Sequence, residues 1–366
     1  LFTSVVGDGA GSTFIIQYGT NKASFVIGTL AATADTTVIS GYSETANKLY
    51  PYIPGRLSGI SFLGTGVTAL AANPYNGNSE QAGVVLGGGT YSTAVNNTCW
   101  GYTVEHCHFR SLKRGLVFGC RIQGPTVVRN CHFIQNHIAI ENFSYFDGGP
   151  GLITESEFYA NAHDFKSLGG VGAYGNLGEA GTTPTWRSGI YLFSYNYHSG
   201  VSSAAPGLLN NYSYPNSTAI SANDLLPQIL IDGGAGANND QFTAKFHHCG
   251  FEQIPGIQVK LCSFNMQYSS PISLEMLDNE YGFGYEQTVY TGANPAVALI
   301  DARCGFVTIK GAKVSQFGDS NNRYSCFARI WHNSIAGNDF EKYRGSMWEV
   351  EALDGAGTVS ATRSLL

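Results

Sequence analysis

The chain has 366 residues, 13% of them charged, with 20 Lys and Arg against 26 Asp and Glu for a formal net charge of −6. That balance offers a nucleic-acid backbone no basic footprint, and no apolar run reaches the roughly eighteen residues of a membrane span, so neither nucleic acid nor bilayer is expected as a partner. Eight cysteines are too sparse for a disulfide scaffold, no CxxC pair has zinc spacing, and neither metal nor cofactor is expected.

Read in chain order, the sequence opens with GDGAGST at 7–13 followed by FII. As a phosphate loop this stretch lacks the Lys of GxxxxGK[ST], and no helical pattern follows it. A six-residue phrase then recurs: apolar, any, small or polar, small, any, aromatic. It reads LSGISF ending at Phe62, VEHCHF ending at Phe109, VRNCHF ending at Phe133 and ITESEF ending at Phe158. Further copies are LFSYNY ending at Tyr197, FHHCGF ending at Phe251, MLDNEY ending at Tyr281 and IKGAKV ending at Val314. Closing positions 109, 133 and 158 lie 24 and 25 apart, and 62 precedes 109 by about two such periods. After each copy comes a second apolar strand, marked by Leu116 and Phe118, Ile138 and Ile140, Phe165, then Ile257 and Val259.

A repeat of this length, rich in β-branched and aromatic residues and punctuated by Gly and Asn, predicts an all-β solenoid of short strands stacked about 4.8 Å apart, a parallel β-helix. The first apolar residue and the closing aromatic face inward, and a bend at the small pair resets the alternation. Cys107, Cys131 and Cys249 share one repeat position and read as a stack of buried thiols. Residues 1–315 form the body, and 316–366 form last coils or a C-terminal cap.

The opening GDGAGST resembles the first coil of the pectate-lyase-like superfamily. With the xNCxF-type coils behind it, the chain is similar to the central body of a bacteriophage tailspike. That resemblance implies a right-handed β-helix, a homotrimer, and degradation of bacterial surface polysaccharide, capsule or O-antigen, from the virion tail. The chain begins at Leu1 without Met, so a head domain that joins other tail proteins is expected outside this stretch, with a C-terminal module as a further candidate. No polygalacturonase signature is present in order, so no catalytic residue carries over.

Where the repeat runs long, the excess must leave as a loop. Closing positions 158, 197 and 251 are separated by 39 and 54, which predicts excursions near 167–187 and 198–228. Their rings, Trp186 and Tyr191 among them, with Tyr145 in 142–150 on a third side, would wall a groove over the strand face carrying 138–141, 162–166 and 228–232. On its floor Glu141, Lys166 and Asp232 are expected outward and in register, with Asp164 outward two residues back and on the order of 8 Å from either carboxylate. Such spacing suits glycoside hydrolysis, where separations near 5 Å give retention and roughly 6.5–9.5 Å inversion. Glu141 is then the acid, Asp164 the base, Asp232 a second base or orienting group, and Lys166, His163, Tyr145, Trp186, Arg187 and Tyr191 bind substrate.

Two alternatives stand beside hydrolysis. A lyase would use Lys166, His163 or Tyr191 as base and Arg187 to neutralise a uronate; an adhesin would grip glycan without cutting it. A rival carboxylate cluster is DNEYGFGYE, with Asp278, Glu280 and Glu286. The outward position before the closing aromatic gives a column of His108, His132, Glu157, Asn196, Gly250 and Glu280, read as a polar or subunit-contact face, or as a metal or acid–base site.

Overall fold

The computed structural model describes residues 4–17, 23–27, 55–64, 82–86, 99–118, 122–123, 125–142, 150–161, 163–168, 188–199, 229–232, 241–252, 259–262, 273–282, 300–303, 306–315, 328–330, 348–353 and 359–365. These residues form strands and bends with no helix among them. The strands build a right-handed parallel β-helix of three stacks per coil. The first stack contains Thr103–Glu105, Thr126–Arg129, Pro150–Thr154, Ser188–Ser194, Gln241–His247 and Ser273–Leu277. The second contains His108–Arg110, His132–Ile134, Glu157–Tyr159, Tyr197–Ser199, Gly250–Glu252 and Glu280–Gly282. The third runs from Ala23–Ile27 through Arg114–Phe118, Ile138–Asn142, His163–Leu168 and Ile229–Asp232 to Ala328–Ile330. After Phe306–Ser315 the first stack gains Trp348–Leu353, against which Val359–Leu365 turns back antiparallel.

The recurring phrase is the corner between the first two stacks. Its third residue takes left-handed φ on every coil from His106 (51°) through Asn130, Glu155, Tyr195 and His248 to Asp278 (53°). Polar or small residues tolerate that conformation best, which is why this slot is never β-branched. The bend turns slots one, four and six inward and leaves three and five outside. Slot one is Val104, Val128, Ile153, Phe193, Phe246 and Met276, all fully buried.

Slot six builds a ring ladder: Phe62, Phe109, Phe133, Phe158, His198, Phe251 and Tyr281 stack with centroids 4.7–5.4 Å apart and planes within 11°. Each stacked pair adds about 0.5–1.5 kcal/mol beyond its buried area. The ladder corrects one reading of the phrase. The closing residue of the coil after Phe158 is His198, not Tyr197, since His198 pairs with Phe158 and Phe251 while Tyr197 pairs with Glu157 and Gly250.

Slot four holds the thiols and amides. Cys107, Cys131 and Cys249 are buried and free, as the repeat predicts. Burial pushes the Cys107 thiol up to about 11 and Cys249 up to about 12. Where the slot carries Ser156, Asn196 or Asn279, the side-chain oxygen accepts the backbone N–H of Cys131 (3.2 Å), Ser156 (3.1 Å) or Cys249 (2.8 Å) one coil earlier. A second amide pair, Asn136 and Asn161, does the same at the corner into the third stack, where Asn161 Oδ1 accepts from Asn136 N at 2.9 Å. These bonds satisfy main-chain groups that a corner removes from the ladder.

Candidate functional site

The third stack was expected to carry the carboxylate floor, and its register is partly as expected. Ile140 pairs with Phe165, and Glu141 with Lys166. The next strand sits two residues away from the predicted alignment: Phe165 meets Ile229 and Lys166 meets Leu230, so Asp232 lies beside Leu168 and Cys262. Ile229 and Ile231 are both buried, so either could fill the inward slot by apolarity, and the observed pairing selects Ile229. Asp232 therefore does not line up with Glu141 and Lys166.

Asp164 departs further. It is not on the outer face but fully buried, with Oδ2 2.8 Å from His198 Nδ1 and Oδ1 accepting from Asn161 Nδ2 at 3.0 Å. Its strand register places it beside Ala139 and Gly115, a run of small residues at the start of the third-stack strands that lets the chain approach the ring ladder. Asp164 is thereby the partner that lets a histidine replace phenylalanine in that ladder, and a water-activating base cannot occupy this position.

Glu141 and Lys166, with Arg114 of the neighbouring strand, form a charged cluster that is itself buried: Glu141 is 4% and Lys166 6% exposed. The Arg114 guanidinium pairs with the Glu141 carboxylate. Burial pushes the Lys166 ammonium down, against the opposing pull of Glu141. His163 is also buried, its ring 6.1 Å from that of His137. Tyr191, expected in a groove wall, is an inward residue of the first stack; its ring stacks on Phe118 at 5.4 Å and its hydroxyl donates to Asn142 at 3.0 Å. The bases a lyase would need, Lys166, His163 and Tyr191, thus all sit in buried positions. The strands His163–Leu168 and Tyr197–Ser199 extend into the starts of the two predicted excursions. The remainder of both, with Tyr145, Trp186, Arg187 and Glu286, lies outside the described residues.

The exposed chemistry is on the outer face of the second stack. Three outward columns run along it, from slots three and five of the phrase and the residue after slot six. Over four consecutive coils they read Glu155, Glu157, Tyr159; Tyr195, Tyr197 and a buried Ser199; His248, Gly250, Glu252; and Asp278, Glu280, Gly282. Asn196, expected in the middle column, is inward, and Tyr197 takes its place. Tyr159, Tyr195 and Tyr197 are 43%, 64% and 42% exposed. Tyr195 stacks on His248 at 5.1 Å. Below them the His108 and His132 rings lie 4.7 Å apart, and His132 Nδ1 is 3.2 Å from Glu157 Oε2.

Tyr197 is the centre of this strip. Its ring lies over Gly250, where a Cβ would meet Cδ2 at 3.2 Å, and its hydroxyl donates to the Glu252 carboxylate. Burial first, then the charges of Glu252 and Glu157, push the phenol up to about 12, so it rests protonated. Rings beside carboxylates on rigid strands suit a sugar chain, whose apolar faces stack while its hydroxyls donate to acidic oxygens. Among the described residues no group of three or more His, Cys, Asp or Glu side chains is arranged to hold a metal ion. The sequence contained the signal for this strip in the Tyr-rich YNYH and in the ESEFY of the preceding coil, but the one-residue misplacement of the closing ring hid Tyr197 from the column.

Comparison of the chain with protein-family models, with curated proteins and with solved structures found no match.

Proposed function

We propose that this chain is the β-helical body of a spike that binds and hydrolyses a bacterial surface polysaccharide, as homotrimeric phage tailspikes do from the virion tail. One observation carries the reading: the exposed strip on the second stack, where Glu157 and Glu252 stand among the exposed rings of Tyr159, Tyr195 and Tyr197 on parallel strands. The strand scaffold holds these groups without the adjustment that loops would require, which favours chemistry over mere contact. On this reading Glu157 is the group that protonates the leaving oxygen.

The test is chromatography of a panel of purified capsular and O-antigen polysaccharides before and after incubation with the protein. Shortened chains with ordinary reducing ends support hydrolysis. Products absorbing in the near ultraviolet indicate β-elimination instead, and retention without shortening indicates an adhesin. Glu157→Gln is expected to lower the rate at least 100-fold, the usual scale of a lost general acid, while Glu141→Gln and Asp232→Asn leave it within about threefold. The opposite pattern moves the site to the third stack.

A further inference from the structure

We propose that the strip on the second stack selects glycans without acidic groups, neutral or amine-bearing, and turns polyanionic ones away; this assignment rests on reading the strip as the polysaccharide site. Among the described outward residues of its four coils stand the carboxylates Glu155, Glu157, Glu252, Asp278 and Glu280, and none of these outward residues is Lys or Arg. His248 is the one basic side chain among them, and its ring stacks on Tyr195.

The nearest described cations are paired elsewhere or stand at the ends of the strip. Lys245 and His247, on the adjoining first stack, both pair with Glu275, at 3.3 and 2.7 Å. Arg56 and Arg129 hold the buried Glu105. His132 meets Glu157 from the coil before, and Arg110 lies one coil further back. Lys313 stands in register with Glu280 on the coil after. Between these ends the face is acidic throughout.

The field of such a face is set by where its charges stand, not by the direction of any one side chain. In water and at low salt, a unit charge about 7 Å from another shifts an equilibrium roughly threefold, so several carboxylates together cost an acidic glycan about tenfold or more. Hydrogen bonding acts in the same sense. A carboxylate only accepts, so sugar hydroxyls and amines donate to it, whereas an acidic substituent adds acceptors with no donor to meet them. The rings are an independent observation. Tyr195 holds a left-handed φ of 53°, rare for so large a residue, and its ring is presented outward beside those of Tyr159 and Tyr197. Their faces take the C–H side of a sugar, and their negative π clouds favour an ammonium over an anion. A uronic acid is thus disfavoured on this strip, and β-elimination with it.

The experiment measures binding to immobilised capsular and O-antigen polysaccharides, neutral, amine-bearing and acidic, at about 20 mM and about 0.5 M salt. The chains bound at low salt are expected to lack acids. Oxidising a fraction of the primary hydroxyls of a bound neutral chain to carboxylates should weaken it about tenfold or more at low salt and about threefold or less at high salt, as a screened charge effect must. In the double variant Glu155→Gln/Asp278→Asn, with unchanged circular dichroism, the ratio of neutral to oxidised affinity should fall about threefold or more. Preferred binding of an acidic polysaccharide, or a loss on oxidation that neither salt nor the double variant reduces, overturns the selectivity. Tyr195→Ala separates the two ways of failing. Where it weakens the bound glycan about threefold or more, the strip stays the site and only the selectivity falls. Where it changes nothing, or no polysaccharide in the panel is bound, the site reading falls and the selectivity with it.

Discussion

The pair of His198 and Asp164 gives the sharpest stability test. Both side chains are fully buried, their contact is 2.8 Å, and His198 Nε2 has no hydrogen-bond partner. Removing one member leaves the other buried and polar without its counterpart, which costs about 3–5 kcal/mol. His198→Phe alone is therefore expected to destabilise by at least about 3 kcal/mol, although it completes the ring ladder, because the Asp164 carboxylate then loses its main partner. Asp164→Ala alone should cost a similar amount. The double variant removes both polar partners, keeps stacked rings 4.7–4.8 Å from Phe158 and Phe251, and matches the Ala139 and Gly115 already in that register. It should lie within about 1 kcal/mol of wild type, or above it. Guanidinium unfolding followed by circular dichroism gives the three differences, and amide exchange in 193–199 and 246–252 localises them. Additive losses in the double variant, or single variants within 0.5 kcal/mol of wild type, would refute the idea that the two residues form one unit.

Three further outcomes follow from the same structure. Gly151→Ala would put a Cβ 2.4 Å from Tyr191 Cδ1, so the ring must swing off Phe118; a loss of about 1–3 kcal/mol in thermal or chemical unfolding is expected, with 0.5 kcal/mol or less contradicting the packing. Glu105 is buried between Arg56 and Arg129, with Arg129 Nε at 2.6 Å. Burial alone would raise its carboxyl, but the two guanidiniums hold it below the usual range. Its folded-state value being depressed, it adds stability above about pH 4.5 that is lost as pH falls through the folded value, and Glu105→Gln should flatten that acid limb in pH-dependent unfolding. Cys107, Cys131 and Cys249 should resist iodoacetamide at pH 8 until the chain is unfolded, because burial keeps their thiols protonated; fast native labelling of any of them would contradict the stacked thiols.

The coil phrase made the solenoid and most of its inward columns readable, because a corner that must adopt left-handed φ and refill its core on every turn leaves the same residue classes at the same slots. It was less reliable for the face of single residues. Tyr197 looked like the closing ring because it is aromatic, whereas Asn196 in the small slot, like Asn279, marks His198 as the true closing residue. Asp164 looked outward by simple alternation from Phe165, but the small residues Gly115 and Ala139 beside it signal a stretch where two successive side chains turn in. Asp232 was displaced because Ile229 and Ile231 both point into the core, and only the strand pairing shows which of them stands beside Phe165. Glu141 is paired with Arg114, 27 residues away in sequence, which no local pattern encodes.

The bend with left-handed φ separates two kinds of selection in one short segment. Slots one, four and six answer to the neighbouring coils, and a change there disturbs the stack. Slot five and the residue beyond slot six answer mainly to what approaches from outside, and slot three answers to that and to its left-handed φ. A lineage can therefore rewrite the outer lettering of each coil, one side chain at a time, while the spine remains the same. The outer face can thus diverge faster than the architecture, which would leave relatives alike in shape with little sequence in common.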